Sequence, residues 1–320
     1  MTAVATPSRS DPWMTCPSPA VLQEVHLAPL AARGLRLAVL RLDQRPAGQN
    51  GNKGYKLRPW RECLARGEGR GLISLGGAHS NHLHALAAAG WEEGFVTVGL
   101  LRGEACLTPT VQDLQDSGMT LHWLGYGGYR RRHDADFWQS WQTRYPHLLP
   151  IPEGGCDERA AQACTEIVAD VRQGLAALGW PDCQQLWLAA GTGTTLAGVI
   201  RAAAPGWQVV GGLAVPPGHG VEGTLDTLLA GQAASNWRLV DASRGGFGRI
   251  DAELARAMAA FEDQTGIPLD PLYTGKLWLA LWQEIERGAV AAGSRLVLIH
   301  SGGLQGRRAL EAQLARLAAD

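Results

Sequence analysis

The stretch Gln185-Leu186-Trp187-Leu188-Ala189-Ala190-Gly191-Thr192-Gly193-Thr194-Thr195 passes from a short apolar run, through a glycine–threonine loop, into a segment of helical periodicity ending near Ala204. An apolar run this short and bounded by glycine reads as a strand buried on both faces, as in a parallel sheet. The glycines let the chain turn sharply. Backbone N–H groups and threonine hydroxyls gathered at a helix start then form a cradle for phosphate. The loop is not a Walker motif, because no lysine follows at the required place, and Gly198 comes too late for G-x-G-x-x-G. An ordinary capped turn is the alternative reading.

The same alternation recurs from about Leu35 to the C-terminus. Strands are expected at Leu35–Leu42, Gly71–Leu75, Phe95–Leu101, Thr120–Leu124, Gln185–Ala190, Gln208–Val215, Arg238–Asp241 and Arg295–His300. Helices are expected at Asn81–Glu93, Asp157–Leu178, Thr195–Ala204, Ala252–Thr265, Lys276–Gly288 and Gln305–Ala318. Thr108-Pro109 reads as a cap followed by proline at the first helical position. A helix starting near Lys53 would meet Pro59 in its interior and kink there. Strand–helix–strand repetition makes the fold class α/β, with parallel sheets covered by helices.

Composition narrows the function. The 320 residues carry a formal net charge of -1 and no run of Lys or Arg, which argues against nucleic acid or an anionic membrane as partner. No apolar run is long enough to span a bilayer. Residues Met1 to Ala20, rich in Ser, Thr and Pro, read as a loose terminal arm rather than a secretory signal. The six cysteines form no C-x-x-C pair, so zinc and disulfide frameworks are poorly supported and a cytoplasmic setting is expected. The twelve tryptophans are dispersed and suggest no collective role.

Four further segments could carry chemistry. Gly51-Asn52-Lys53-Gly54-Tyr55-Lys56-Leu57 places Lys53 at a strand-to-helix junction, where burial would favour a neutral amine able to attack a carbonyl. Leu75-Gly76-Gly77-Ala78-His79-Ser80-Asn81-His82 is a glycine turn ending in good N-capping residues. His79, His82 and His84 suggest a metal only weakly, since no carboxylate or cysteine in the segment completes a ligand set. Asp270-Pro271-Leu272-Tyr273-Thr274-Gly275-Lys276 offers a phenol, and His300-Ser301-Gly302-Gly303 offers a hydroxyl at a strand end. Each alone reads equally as a structural turn. Together with Gly191–Thr195 they supply the handles for a phosphorylated pyridine aldehyde: an amine, a Ser-Asn turn, a phosphate loop and a partner for the ring nitrogen.

On these segments the chain resembles the pyridoxal phosphate (PLP)-dependent family of 1-aminocyclopropane-1-carboxylate (ACC) deaminases and D-cysteine desulfhydrases. Its most specific motifs are Asn52-Lys53-x-x-Lys56-Leu57, Ser80-Asn81-His82 and Asp270 to Lys276. The resemblance runs from about Pro17 to the C-terminal helix. It implies fold type II (tryptophan synthase β-like): two open twisted parallel-sheet domains with PLP in the cleft between them. Residues 1-56 and 152-320 would form the larger domain and 57-151 a smaller inserted one. Lys53 would be the Schiff-base lysine, and Lys56 a second cation near the cofactor. Asn81 would bind the phenolic oxygen of PLP, Gly191, Thr192, Gly193, Thr194 and Thr195 its phosphate, and Ser301 its ring nitrogen. The substrate pocket would comprise His79, Ser80, His82, Phe247, Tyr273 and Thr274, with Ser80 and Tyr273 sharing in proton transfer with Lys53. A homodimer is also implied.

Departures from the family pattern bear on the substrate. Thr274 stands where ACC deaminases carry Glu, and Phe247 lies where they carry a tyrosine. Both disfavour ring opening, and Thr274 and His82 match the desulfhydrase side of the family. His79 and His84 replace the usual Gln and Arg, and Gly54-Tyr55 stands where Thr-Arg is common. The expected reaction is α,β-elimination from a small amino acid, D-cysteine first, giving a 2-oxo acid, ammonia and a thiol. ACC deamination, or a lyase acting on another β-substituted amino acid, is the nearest rival. From other classes come a non-catalytic PLP carrier or amino-acid sensor, and a nucleotide-binding protein using only Gly191–Thr195.

Overall fold

The structure is a computed structural model and describes residues 20–231 and 236–319. The terminal-arm reading, except for Ala20, falls outside the described residues, as does Cys16. The strands are β1 (Leu22–Val25), β2 (Arg36–Arg41), β3 (Gly71–Gly76), β4 (Val96–Leu101), β5 (Thr120–Trp123), β6 (Leu148–Pro150), β7 (Gln185–Ala190), β8 (Gln208–Leu213), β9 (Trp237–Asp241) and β10 (Arg295–His300). One sheet has the order β1-β2-β10-β7-β8-β9 and the other β5-β4-β3-β6. Every pairing is parallel except β1 on β2, which is antiparallel at the edge.

The double burial of β7 explains its continuous apolar run. Leu186, Leu188 and Ala190 face one core, shared with Val168, Leu196 and Ile299. Trp187 and Ala189 face the other, shared with Leu277, Phe261 and Leu298. The two-residue period of a strand sends alternate side chains to opposite faces, so a strand covered on both sides needs apolar residues throughout. The smaller sheet is likewise sandwiched, with Leu72 and Leu101 on one side and Ile73 and Leu100 on the other.

Parallel strands deliver their C-terminal ends to one edge, where a ligand cleft forms in open α/β sheets. β3 ends at the Gly77–Ser80 turn, β7 at the Gly191–Gly193 loop and β10 at Ser301. All the expected strands are present with small shifts of their ends, while β1 and β6 were not anticipated. Each is short, β1 carries Gln23 and Glu24, and β6 ends on Pro150, so neither reads as an apolar run.

Two expected helices are interrupted. Asp157–Leu178 divides into Glu158–Ala163 and Glu166–Ala177. The helix Thr194–Ala202 crosses at that point so closely that a Cβ on Gly198 would sit 2.6 Å from the Cys164 Cβ. Gln305–Ala318 divides into Leu304–Arg307 and Glu311–Ala319. The helix Gly51–Ala65 contains Pro59 in its interior, as the sequence predicts. Among the described residues no helix is long and apolar enough to cross a membrane.

Candidate active site

The turn that delivers Lys53 is tied down on both sides. The Asn50 side chain donates to the carbonyls of Asp43 (2.7 Å) and Arg45 (3.2 Å). Gly51 follows in the left-handed region at φ +62°, where any Cβ would collide with the Ser301 carbonyl oxygen. The Asn52 amide donates to that same oxygen at 3.2 Å. Its side-chain amide donates to Thr195 Oγ1 at 2.9 Å. The first turn of this helix is thereby bonded to the residue after β10 and to the first turn of the helix that follows β7.

Lys53 is half-buried in a narrow cleft lined also by Asn50, Asn81, His84, Ser301 and Gln305. Desolvation lowers its pKa to about 7, and the positive charge of Lys56 acts in the same direction. Lys56 is fully buried, with its own pKa lowered by burial, and donates to Thr192 Oγ1 at 3.3 Å. Thr192 Oγ1 lies 3.1 Å from Thr194 Oγ1, at the start of the helix Thr194–Ala202. Among the described residues neither lysine has a carboxylate within 4 Å. A buried amine beside threonine hydroxyls and a helix N-terminus, with a second amine half-buried nearby and no counter-ion, forms a site suited to an anion.

Across the cleft, Ser80 caps the helix Asn81–Glu93 by accepting from the Leu83 amide at 3.2 Å. Asn81 Oδ1 accepts from Gln305 at 2.6 Å, and its Nδ2 lies 2.9 Å from where a Cβ on Gly303 would be. The three histidines diverge. His79 is exposed. His84 bonds Asp113 at 3.1 Å, and Asp113 also pairs with Arg308. His82 is buried with its Nε2 2.9 Å from Ser74 Oγ. The Ser74 hydroxyl donates to the Ile151 carbonyl, so His82 must carry its hydrogen on Nε2. Its Nδ1 is then a buried lone pair without a partner. Burial, followed by the charges of Lys53 and Lys56, holds this imidazole neutral, its pKa well below the usual value. Among the described residues no three His, Cys, Asp or Glu side chains converge as metal ligands.

Tyr273 approaches the Gly191–Thr195 loop from the other side. A Cβ on Gly191 would lie 3.0 Å from its ring and 3.4 Å from its hydroxyl. Burial raises the phenol pKa, and Asp270 and Glu153 add to the effect, so the group is a proton donor at neutral pH. The Phe247 ring packs edge-on against it at 5.4 Å and is 40% exposed. Thr274 points elsewhere: it is fully buried, and its hydroxyl donates to Asp270 Oδ2 at 2.9 Å.

Asp270 orders this whole turn. Its carboxylate accepts from the amides of Leu272, Tyr273 and Thr274, each at 2.9 Å. Asp270→Ala would leave these amides and the Thr274 hydroxyl without their buried acceptor. The expected cost is about 3 kcal/mol, read from urea unfolding of the apoprotein. A loss below about 0.5 kcal/mol would show that the turn does not depend on this carboxylate.

The cleft thus brings together Lys53, Asn81 and Ser301, and Lys56 joins the Gly191–Thr195 loop beside it. His79, His82 and Thr274 lie apart from that lining. Asn50, Asn52, Asp270 and Gln305 organise the site without having been singled out for it. Asp270 was readable, being an Asp two to four residues before a helix start. Gln305 gave no signal, since its partner Asn81 is 224 residues away.

These residues fit PLP: the buried Lys56 amine, without a carboxylate partner, and a threonine cradle for the phosphate, Lys53 of lowered pKa for the aldehyde, and Asn81 and Ser301 to meet the ring. No family model matches the chain. It is 28% identical over 301 residues, covering 85% of this chain and 86% of the relative, to a Pyrococcus abyssi (strain GE5 / Orsay) protein named "Putative 1-aminocyclopropane-1-carboxylate deaminase". Its fold matches a crystal structure described as an ACC deaminase homologue, with TM-score 0.80, 24% identity and 94% of each chain covered. It also matches threonine deaminase isoform 2 from Solanum lycopersicum, with TM-score 0.66 and 14% identity over 93% of this chain and 84% of that one. In sequence the chain is thus similar to proteins named as putative ACC deaminases, and its fold is that of the ACC deaminase homologue and of threonine deaminase.

Proposed function

We propose that the protein catalyses PLP-dependent α,β-elimination from a small amino acid, with D-cysteine the leading substrate. The observation that carries this reading is the pairing of Lys53, its pKa lowered to about 7, with a half-buried, protonated Tyr273 against Gly191. Bound PLP supplies an electron sink for charge developing at the substrate Cα. Lys53 would hold the aldehyde carbon and would also be the base that takes the substrate Cα proton. Ser80, the N-cap residue just before Asn81, would share in that proton transfer. Lys56 and the Gly191–Thr195 hydroxyls and amides grip the phosphate. Asn81 holds the phenolic oxygen, with Gln305 fixing its amide. Ser301 would face the ring nitrogen with a neutral hydroxyl, an environment that suits elimination better than ring opening. Tyr273 protonates the leaving thiolate, and Phe247 shields it on one side.

ACC deamination is the second reading, favoured by the names of the relatives. Phe247 in place of a tyrosine argues against it. The division into domains 1-56 plus 152-320 and 57-151, a cytoplasmic location and a homodimer belong to the same proposal. A panel of D-cysteine, β-chloro-D-alanine, L-cysteine, L-serine and ACC, scored for 2-oxo acid release, tests the assignment. D-Cysteine is expected to exceed ACC in kcat/KM by at least about 100-fold, roughly 2.7 kcal/mol of transition-state discrimination. The reverse order would establish the ACC reading, and no turnover with any of them would return the protein to the carrier class.

A further inference from the structure

Three residues beyond Tyr273, in the first turn of the helix Thr274–Glu286, the side chain of Lys276 runs inward and is fully buried. Its Nζ donates to three backbone carbonyls: Ser243 at 2.9 Å, Gly246 at 2.7 Å and Phe247 at 2.7 Å. An ammonium has three N–H groups, so these bonds use all of its donors. No carboxylate lies within 4 Å of Nζ among the described residues. The three carbonyls belong to the loop between β9 and the helix Ala252–Thr265, which folds round the ammonium. Ser243 Oγ accepts from the Gly245 amide, and Arg244 adopts φ +60° with its guanidinium held by Asp251 and Glu253. A ring of carbonyls around a single charge 2.7–2.9 Å away resembles the environment that replaces the hydration shell of a potassium or ammonium ion. The charged groups around Nζ are Asp270, Asp251 and Asp241, which favour the ammonium, and Arg244, which opposes it. Burial nonetheless leaves the pKa at about 8, so the cage holds a cation at neutral pH.

We propose that Lys276 serves as a built-in monovalent cation, filling a backbone carbonyl cage and so holding the 243–247 loop that sets Phe247 against Tyr273. Lys276 is a positioning residue and touches neither cofactor nor substrate. One short helix start thereby carries both the phenol that enters the site and the charge that fixes the loop covering it. A cavity lined by Asp241, Arg244, Lys276 and Gln283 opens beside the cage and gives a free ion a route to it.

The test uses the PLP-loaded protein. Lys276→Ala removes the charge and leaves the carbonyls facing one another. Amide exchange across residues 243–248 is expected to accelerate at least about tenfold. Ammonium or potassium chloride at 0.1–0.5 M (about the range for a weak site) should restore protection and raise Tm, while lithium chloride should not. The wild-type protein should not distinguish the three salts. A merely structural lysine would lose stability in the variant without this size-selective rescue. Unchanged exchange in the variant, or equal restoration by all three salts, would overturn the proposal. Should the variant not fold even with ammonium present, the wild type decides the matter. In 15N-lysine-labelled protein, Lys276 is expected to show an ammonium resonance protected from solvent exchange, assigned by its disappearance in Lys276→Arg. Absence of any protected lysine ammonium would overturn the proposal.

Discussion

Replacing Lys53 by alanine is expected to lower turnover by about 10^3-fold or more, with the fold intact. The estimate follows from the amine itself. A lysine of ordinary pKa, near 10.4, is neutral in only about one molecule in 2,500 at pH 7. At a pKa of about 7, half of the Lys53 side chains are neutral and nucleophilic at that pH. The rate at which the protein captures added PLP should therefore rise with pH and level off above about 7. Linkage sets the stability effect with the opposite emphasis. The folded pKa lies below the unfolded one, so between them the unfolded chain binds a proton that the folded chain does not, and stability rises with pH. The cost of burying the ammonium is complete below pH 7 and fades as the pH climbs towards 10.5. Lys53→Ala should accordingly stabilise the apoprotein most at pH 6 and progressively less above 7. Visible absorption, 2-oxo acid release and urea titrations at several pH values check the three statements. Full turnover by the variant would remove Lys53 from the mechanism.

Lys56→Met is expected to move two measurements in opposite directions. The side chain is nearly isosteric along its stem, is fully buried, and has no carboxylate partner. Holding that charge in the apoprotein is costly, since an ion withdrawn from water without a counter-ion loses its solvation. Methionine removes the cost, so the apoprotein should gain about 1–2 kcal/mol. The charge matters only when an anion arrives beside Thr192 and Thr194. A charge-assisted bond to a phosphate contributes about 1.5–3 kcal/mol, so PLP affinity should fall about 10- to 100-fold. A more stable apoprotein that binds PLP less well is the signature of a residue kept for its ligand rather than for the fold. Loss of stability without loss of PLP affinity would make Lys56 structural. The readouts are urea unfolding of the apoprotein and absorbance titration with PLP.

The parts legible in the sequence are those where local pattern and tertiary role coincide. The apolar run of β7 could only be a strand buried on both sides, and it lies between two cores. Lys53, Asn81 and Ser301 were each readable as a residue at a strand end, and parallel strands carry their ends to one edge. Side-chain direction was not legible. His82 follows Ser80-Asn81 directly, yet the helix turns its ring inward to Ser74, eight residues back in β3. Thr274 follows Tyr273 and is taken up by Asp270. Periodicity also failed where a neighbour intervenes. The expected helix Asp157–Leu178 breaks where Gly198 brings another helix against Cys164, a contact that no local pattern encodes. Lys276 looked like one more residue of a helix start, because the carbonyls that receive it come from a loop about thirty residues earlier.

The central claim is that Lys53 holds PLP, and one measurement tests it most directly. The purified protein, supplied with PLP, is recorded in the visible range, reduced with borohydride, digested and mapped by mass spectrometry. A yellow protein whose phosphopyridoxyl mass falls on the peptide containing Lys53, and on no other lysine, is the predicted result. A protein that takes up no PLP, or one labelled at Lys56, Lys276 or elsewhere with Lys53 free, would contradict the account.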